Sequence, residues 1–193
     1  MSQAVFLDRD GTLIKDKDYL HRAEDVAFIP GAVMGLQRLH RAGFKLFLVT
    51  NQSGVGRGYF TMDNVDRVHA HISGELAKEA VRFEKIYVAP EAPDRPSHGR
   101  KPSPQFLFDA RDEFGIDLGG SFMIGDKRSD LECGWNAGVE KAILVRTGYG
   151  AALERAEGRR LAEAMIVNDL SSAAEWILKG GALREARGDF GVR

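Results

Sequence analysis

Two aspartates, Asp8 and Asp10, stand one residue apart at the end of an apolar run, Ala4, Val5, Phe6 and Leu7, and are followed at once by Gly11 and Thr12. An uninterrupted apolar tetrad suits a strand buried on both faces. The glycine lets the chain turn away from the strand end. Two carboxylates are thereby delivered to the carboxyl edge of a strand, where open parallel sheets bind their ligands. About 4 Å apart, they repel by roughly 4 kcal/mol at an effective dielectric constant of about 20. Either one takes up a proton or both share a cation. Oxygen donors with open positions suit a hard cation such as Mg²⁺.

Three later segments carry groups to the same edge. A second apolar strand, residues 45–50, runs into Thr50, Asn51, Gln52, Ser53 and Gly54. A loop dense in proline (Pro90, Pro93, Pro96) ends in Arg100, Lys101 and Pro102. A short strand at 121–124 runs into Gly125, Asp126, Lys127, Arg128, Ser129 and Asp130. Asp8, as the last and most rigidly held strand residue, is the candidate nucleophile, and carboxylate attack on phosphorus is established chemistry for aspartyl-phosphate enzymes. Asp10, in the loop, can protonate a leaving oxygen and then activate water. Asp126, with Asp130 one helical turn on, completes a metal site. Lys101 can neutralise charge on phosphoryl oxygens, and Thr50 can donate a hydrogen bond to them.

These groups need a scaffold that brings strand ends together. Further strands are expected at 83–89, 142–145 and 165–167. Helices are expected at 32–42, 62–82, 104–114, 129–137, 151–164 and 171–179. Thr61 reads as the cap of the second of these. His69 and His71, two residues apart on it, read as ordinary helix residues. Alternation of this kind predicts an α/β fold, a Rossmann-like parallel sheet with helices on both faces and no large cap domain. Right-handed crossovers then gather the strand ends at one edge. Residues 1–179 are expected to form a single domain, and 180–193 a flexible tail without a function of its own.

Composition narrows the partners. The formal net charge of −1 over 193 residues gives no general attraction to nucleic acid or anionic membranes. The lone Cys133 excludes an internal disulfide and a multi-cysteine zinc site. No apolar run approaches the ~20 residues of a membrane span, and Met1, Ser2 and Gln3 lead straight into the first strand without a secretory leader. The expectation is a cytoplasmic monomer acting on a small phosphorylated metabolite.

The four segments, in this order, resemble the haloacid dehalogenase superfamily of phosphatases. Asp8, Arg9, Asp10, Gly11 and Thr12 match its first motif, the run from Thr50 to Gly54 its second, Lys101 its third, and Gly125, Asp126 and Asp130 its fourth. The resemblance implies an aspartyl-phosphate mechanism with Asp8 as nucleophile and Asp10 as acid and base. It also implies Mg²⁺ held by the side chains of Asp8 and Asp126 and the backbone carbonyl of Asp10. Within that superfamily the chain is most similar to the small, capless branch of heptose bisphosphate and histidinol phosphatases, through Thr50 to Gly54, Arg57 to Phe60 and Arg100 to Pro102. That similarity implies substrate contacts from Asp16, Tyr19, Thr50, Asn51, Gln52, Ser53, Arg57, Arg100, Lys101 and Lys127. Members of the branch commonly carry a zinc loop, whose positions here hold Ala89, Glu91, Ser97 and Gly99, so no zinc is expected. Arg57, Arg100 and Lys127, with Lys15 or Lys17, exceed what one phosphate needs and favour a sugar bisphosphate, heptose 1,7-bisphosphate. The alternatives are a histidinol-phosphate phosphatase, a polynucleotide 3′-phosphatase, or a phospho-ligand binding module without catalysis.

Overall fold

The computed structural model describes the chain through residue 187, with side chains through residue 180. Thirteen named elements follow in chain order: β1 (Ala4–Leu7), α1 (Ala32–Arg41), β2 (Lys45–Asn51), α2 (Ser53–Gly56), α3 (Met62–Lys78), β3 (Lys85–Ala89), α4 (Gln105–Phe114), β4 (Phe122–Gly125), α5 (Arg128–Ala137), β5 (Lys141–Val145), α6 (Gly150–Glu157), β6 (Met165–Val167) and α7 (Leu170–Arg187). The strands form one six-stranded sheet in the order β3-β2-β1-β4-β5-β6, parallel throughout. The order reverses between β1 and β4, and that switch point is where such sheets open a crevice at their carboxyl ends. No helix among the described residues is long and apolar enough to cross a membrane.

Strand β1 shows why the sheet is covered on both sides. Its four residues are completely buried, and successive side chains point to opposite faces. Val5 and Leu7 join the core that contains Leu36 and Leu39 of α1, Val68 and Ile72 of α3, and Ala173 and Ile177 of α7. Ala4 and Phe6 join Phe47, Leu107 of α4 and Cys133 of α5 on the other side. Phe6 stacks on Phe47 with ring centroids 5.1 Å apart. Asp8 therefore leaves a strand clamped from both faces.

Element types match the expectation and several ends do not. Thr61 caps α3, accepting from the Asn64 N–H at 3.3 Å while Asn64 Oδ1 accepts from the Thr61 N–H at 2.9 Å. The helix stops at Lys78 rather than at 82. Ala80 turns left-handed, with φ of 55°, and the Val81 N–H closes back on the Leu76 carbonyl at 3.0 Å. The turn puts Val81 into the core, 1 % exposed, and a fully buried valine contributes about 1.5–3 kcal/mol. Further on, α6 stops at Glu157 where Gly158 breaks it, and a 3-10 turn, Gly158–Leu161, buries Leu161. The last helix runs past the expected end at 179, to Arg187. The remainder of the expected tail, 188–193, lies outside the described residues. Just past β2 the chain makes the single helical turn α2, for which no helix was expected.

Of the two α3 histidines, which the sequence reads as ordinary helix residues rather than ligands, His71 is exposed and His69 is not. His69 is buried in line with Val65, Val68 and Ile72. Burial, and secondarily the Arg9 guanidinium, push its imidazole down to about 3 from 6.5. The unfolded chain therefore takes up a proton first as pH falls. Stability is complete above about pH 6.5 and is lost as pH falls toward about 3. We predict that chemical denaturation at about pH 7 and about pH 4 will show the wild type losing on the order of 3 kcal/mol more than His69→Gln. Equal losses would place the acid sensitivity elsewhere.

Candidate active site

The ends of β1, β2 and β4 converge on a buried electrostatic cluster. Asp8 follows β1, and its N–H still donates to the Ile124 carbonyl of β4 at 2.9 Å. Asp126 follows β4 and is fully buried, as is Asp130 in the first turn of α5. Oxygens of these three carboxylates lie within 4.8 Å of one another. Lys101 enters from the loop before α4 and is 3 % exposed. Its Nζ lies 2.6 Å from Asp8 Oδ1, 2.6 Å from Asp130 Oδ1 and 2.7 Å from the Val49 carbonyl. Burial opposes its charge, but Asp130 and Asp8 outweigh burial and hold the ammonium firmly protonated.

Asp130, which the sequence pairs with Asp126 in a metal site, lies in that carboxylate cluster and is also held by the protein. One oxygen holds Lys101 and the other accepts from the Lys127 N–H at 2.9 Å. Asp126 differs. Its Oδ2 accepts from the Tyr149 N–H at 2.8 Å, while its Oδ1 is buried with no hydrogen-bond partner. Burial and the neighbouring Asp8 raise its carboxyl to about 8 from 3.8. A buried, unpartnered oxygen facing a second carboxylate is a defect unless a cation fills it. The donor set is oxygen only, which fits Mg²⁺. Gly11 and Gly148 press on Asp126 with φ of 85° and 55°, and a Cβ on either would collide with its carboxylate.

Asp10 is held by its neighbour. The Arg9 guanidinium, 1 % exposed, donates from Nε to Asp10 Oδ2 at 2.9 Å and from Nη2 to Oδ1 at 3.1 Å. Gln52 links the same network to β2, donating to Asp10 Oδ2 at 3.0 Å and to Thr50 Oγ1 at 2.7 Å, and accepting from Arg9 Nη2 at 3.0 Å. Asn51 is devoted to the backbone of Lys101: its Oδ1 accepts from the Lys101 N–H at 3.0 Å and its Nδ2 donates to the Lys101 carbonyl at 3.1 Å. The peptide bond between Lys101 and Pro102 is cis.

A cleft of about 270 Å³ opens above this floor, lined by Asp10, Asp16, Tyr19, Asn51, Gln52, Ser53, Lys127 and Tyr149 among others. Lys127 leans over it, its Nζ 3.4 Å from Asp16 Oδ2 and 5.0 Å from the Tyr149 ring centroid. Burial opposes the Lys127 charge, but Asp8, Asp126 and Asp16 keep it protonated. Arg57 and Arg100 do not line this cleft. They lie near each other, close enough that burial and then the Arg57 charge lower the Arg100 guanidinium. Arg100 Nη1 donates to the Glu91 carbonyl at 3.1 Å. In the proline-dense loop, Ser97 Oγ donates to Glu91 Oε2 at 2.6 Å.

Sequence reasoning missed Arg9, Thr147, Gly148 and Tyr149. The last three follow β5 at the same carboxyl edge, a position that the sheet rule marks for ligand loops. Thr147 Oγ1 donates to the Gly11 carbonyl at 2.6 Å and so locks that loop to the first motif. Nothing in the sequence pattern separates Arg9 from a solvated arginine.

Known proteins resemble this chain in sequence and fold. Residues 98–173 match the HAD-hydrolase-like family model. A D-glycero-beta-D-manno-heptose-1,7-bisphosphate 7-phosphatase of Photorhabdus laumondii is 38 % identical over 175 residues, covering 87 % of this chain and 91 % of that protein. The enzyme of the same name from Escherichia coli K12 is 35 % identical over 91 % of this chain and 87 % of its own. The crystal structure of D,D-heptose 1,7-bisphosphate phosphatase from B. bronchiseptica, complexed with magnesium and phosphate, superposes with a TM-score of 0.85 at 30 % identity, over 92 % of this chain and 99 % of that one. On the strength of these relatives and of a sheet whose switch point gathers Asp8, Lys101 and Asp126, the chain belongs to the haloacid dehalogenase-like phosphatases, in the branch of the heptose-bisphosphate enzymes.

Proposed function

We propose that this protein removes the 7-phosphate from D-glycero-D-manno-heptose 1,7-bisphosphate through a phosphoryl group carried on Asp8. The observation that carries the reading is the setting of Asp8, between the Lys101 ammonium at 2.6 Å and the unpartnered oxygen of Asp126. A carboxylate so placed has one oxygen tied to Lys101 and a carboxylate-lined space beside it for a cation.

In this reading the Asp8 carboxylate attacks phosphorus, and the bond between phosphorus and the sugar oxygen breaks as Asp10 gives that oxygen its proton. Asp10 then takes a proton from water. The water oxygen bonds to phosphorus, the acyl phosphate bond breaks, and phosphate leaves with Asp8 restored. Lys101 and the Thr50 hydroxyl stabilise charge on the transferring oxygens. Mg²⁺, when bound through the Asp8 and Asp126 side chains and the Asp10 backbone carbonyl, supplies the positive charge that lets an anionic nucleophile approach an anionic phosphate. Asn51 acts through Lys101, fixing the backbone that carries it.

Asp16, Tyr19, Asn51, Gln52, Ser53 and Lys127 supply the walls for the sugar, supported by their place around one cleft. The second phosphate is assigned to Arg57 and Arg100. Two guanidinium groups that repel one another are stabilised by an anion that bridges them.

Asp8→Asn is expected to abolish turnover while circular dichroism and denaturation stay close to wild type; retained activity in a folded Asp8→Asn protein would refute the covalent step. Dialysis against a chelator should stop hydrolysis, and Mg²⁺ alone should restore it. Recovery with zinc but not with Mg²⁺ would contradict the oxygen-donor reading. For substrate choice, kcat/KM should favour the heptose bisphosphate over its monophosphates and over histidinol phosphate. Arg57→Ala or Arg100→Ala should cost the bisphosphate about 1.5–3 kcal/mol, the range for hydrogen bonds to a charged group. A tenfold preference for histidinol phosphate would overturn the substrate and leave the phosphatase in place.

A further inference from the structure

Arg9 is the largest fully buried side chain among the described residues, and it lies at the floor of the cleft. Its donors are used within the protein: Nε and Nη2 on Asp10, Nη2 also on Gln52 Oε1 and on the Leu20 carbonyl at 3.3 Å, and Nη1 on His69 Nε2 at 3.3 Å. Guanidinium has donors only, so His69 Nε2 is the acceptor and the imidazole proton sits on Nδ1. Burial keeps this imidazole neutral. A neutral acceptor matters. A carboxylate at this position would draw the guanidinium away from Asp10, and an apolar residue would leave a buried N–H without a partner.

We propose that His69 is a positioning residue for catalysis: by accepting from Arg9 Nη1 it fixes the guanidinium in the orientation that holds Asp10 at the leaving-group oxygen. The inference rests on the reading of Asp10 as general acid. His69 reaches the site only through Arg9, sixty positions away in the chain, from a helix that otherwise supplies apolar core. Fixing Arg9 limits where the Asp10 carboxyl can swing, and misplacing a general acid by a fraction of an ångström removes much of its effect.

A general acid matters most when the leaving group is a poor one. Loss of Asp10 alignment should therefore slow transfer to Asp8 from an alkyl phosphate far more than from p-nitrophenyl phosphate, whose leaving group needs no proton, while the later base step is common to both substrates. A general loss of structure would slow both alike. We expect His69→Leu to lower kcat/KM on the sugar phosphate by about tenfold or more, with kcat/KM on p-nitrophenyl phosphate reduced by less than about threefold, because kcat/KM reports only the steps through transfer to Asp8. His69→Gln, whose amide oxygen reaches toward Arg9, should recover most of the loss. Should His69→Leu not fold, His69→Asn is read in the same way, because its acceptor stops short of the guanidinium. Equal losses on both substrates, or no loss on either, would overturn the proposal. Asp10→Asn is measured alongside. If it shows the leaving-group selectivity and the His69 variants do not, Asp10 keeps its role and His69 has none. If Asp10→Asn shows no selectivity, the general-acid reading itself fails.

Discussion

Three buried carboxylates within 4.8 Å of one another are the constraint around which this fold is arranged. Nothing about a parallel sheet requires them; each adds repulsion that the core must offset. Lys101 answers two of them directly, and Lys127 lies near all three. Asp126 keeps a buried oxygen without a partner. The remainder of the charge is answered from outside the chain, by a divalent cation. A carboxyl raised to about 8 in the fold costs the metal-free protein stability at every pH above its ordinary value. Function is kept here against stability, a common feature of active sites.

The rest of the architecture supports that arrangement. Clamping β1 between two cores fixes Asp8. The reversal of strand order between β1 and β4 sets Asp126 beside it. The loop after β5 closes the third side, Tyr149 by its N–H and Thr147 by its hydroxyl. Asn51 holds the backbone of Lys101 from β2. Each of these is a contact between segments far apart in the chain, so the geometry exists only once the sheet has formed.

How much of this could be read in advance divides along that line. The apolar tetrad before Asp8, the second one before Thr50 and the glycines that follow are local signals, and they pointed to the sheet edge where the structure gathers Asp8, Lys101 and Asp126. Helix ends were legible where a cap is written in the sequence, as at Thr61, and illegible where burial of one residue decided, as at Val81 or Leu161. Spacing brought Asp130 to the cluster but could not show that it also partners a lysine arriving from another loop. His69 and Arg9 were missed for the same reason: each is unremarkable locally, and their meeting depends on how α3 packs across the sheet.

The central claim is that the carboxylate cluster is destabilising by itself and is satisfied by a cation at Asp126. Thermal unfolding of the wild type and Asp126→Asn, each with chelator and with Mg²⁺ near neutral pH, tests it most directly. The account predicts that with chelator Asp126→Asn melts above the wild type, and that Mg²⁺ raises the Tm of the wild type alone. An Asp126→Asn protein that melts below the wild type in chelator, and is still stabilised by Mg²⁺ to the same extent, would contradict it.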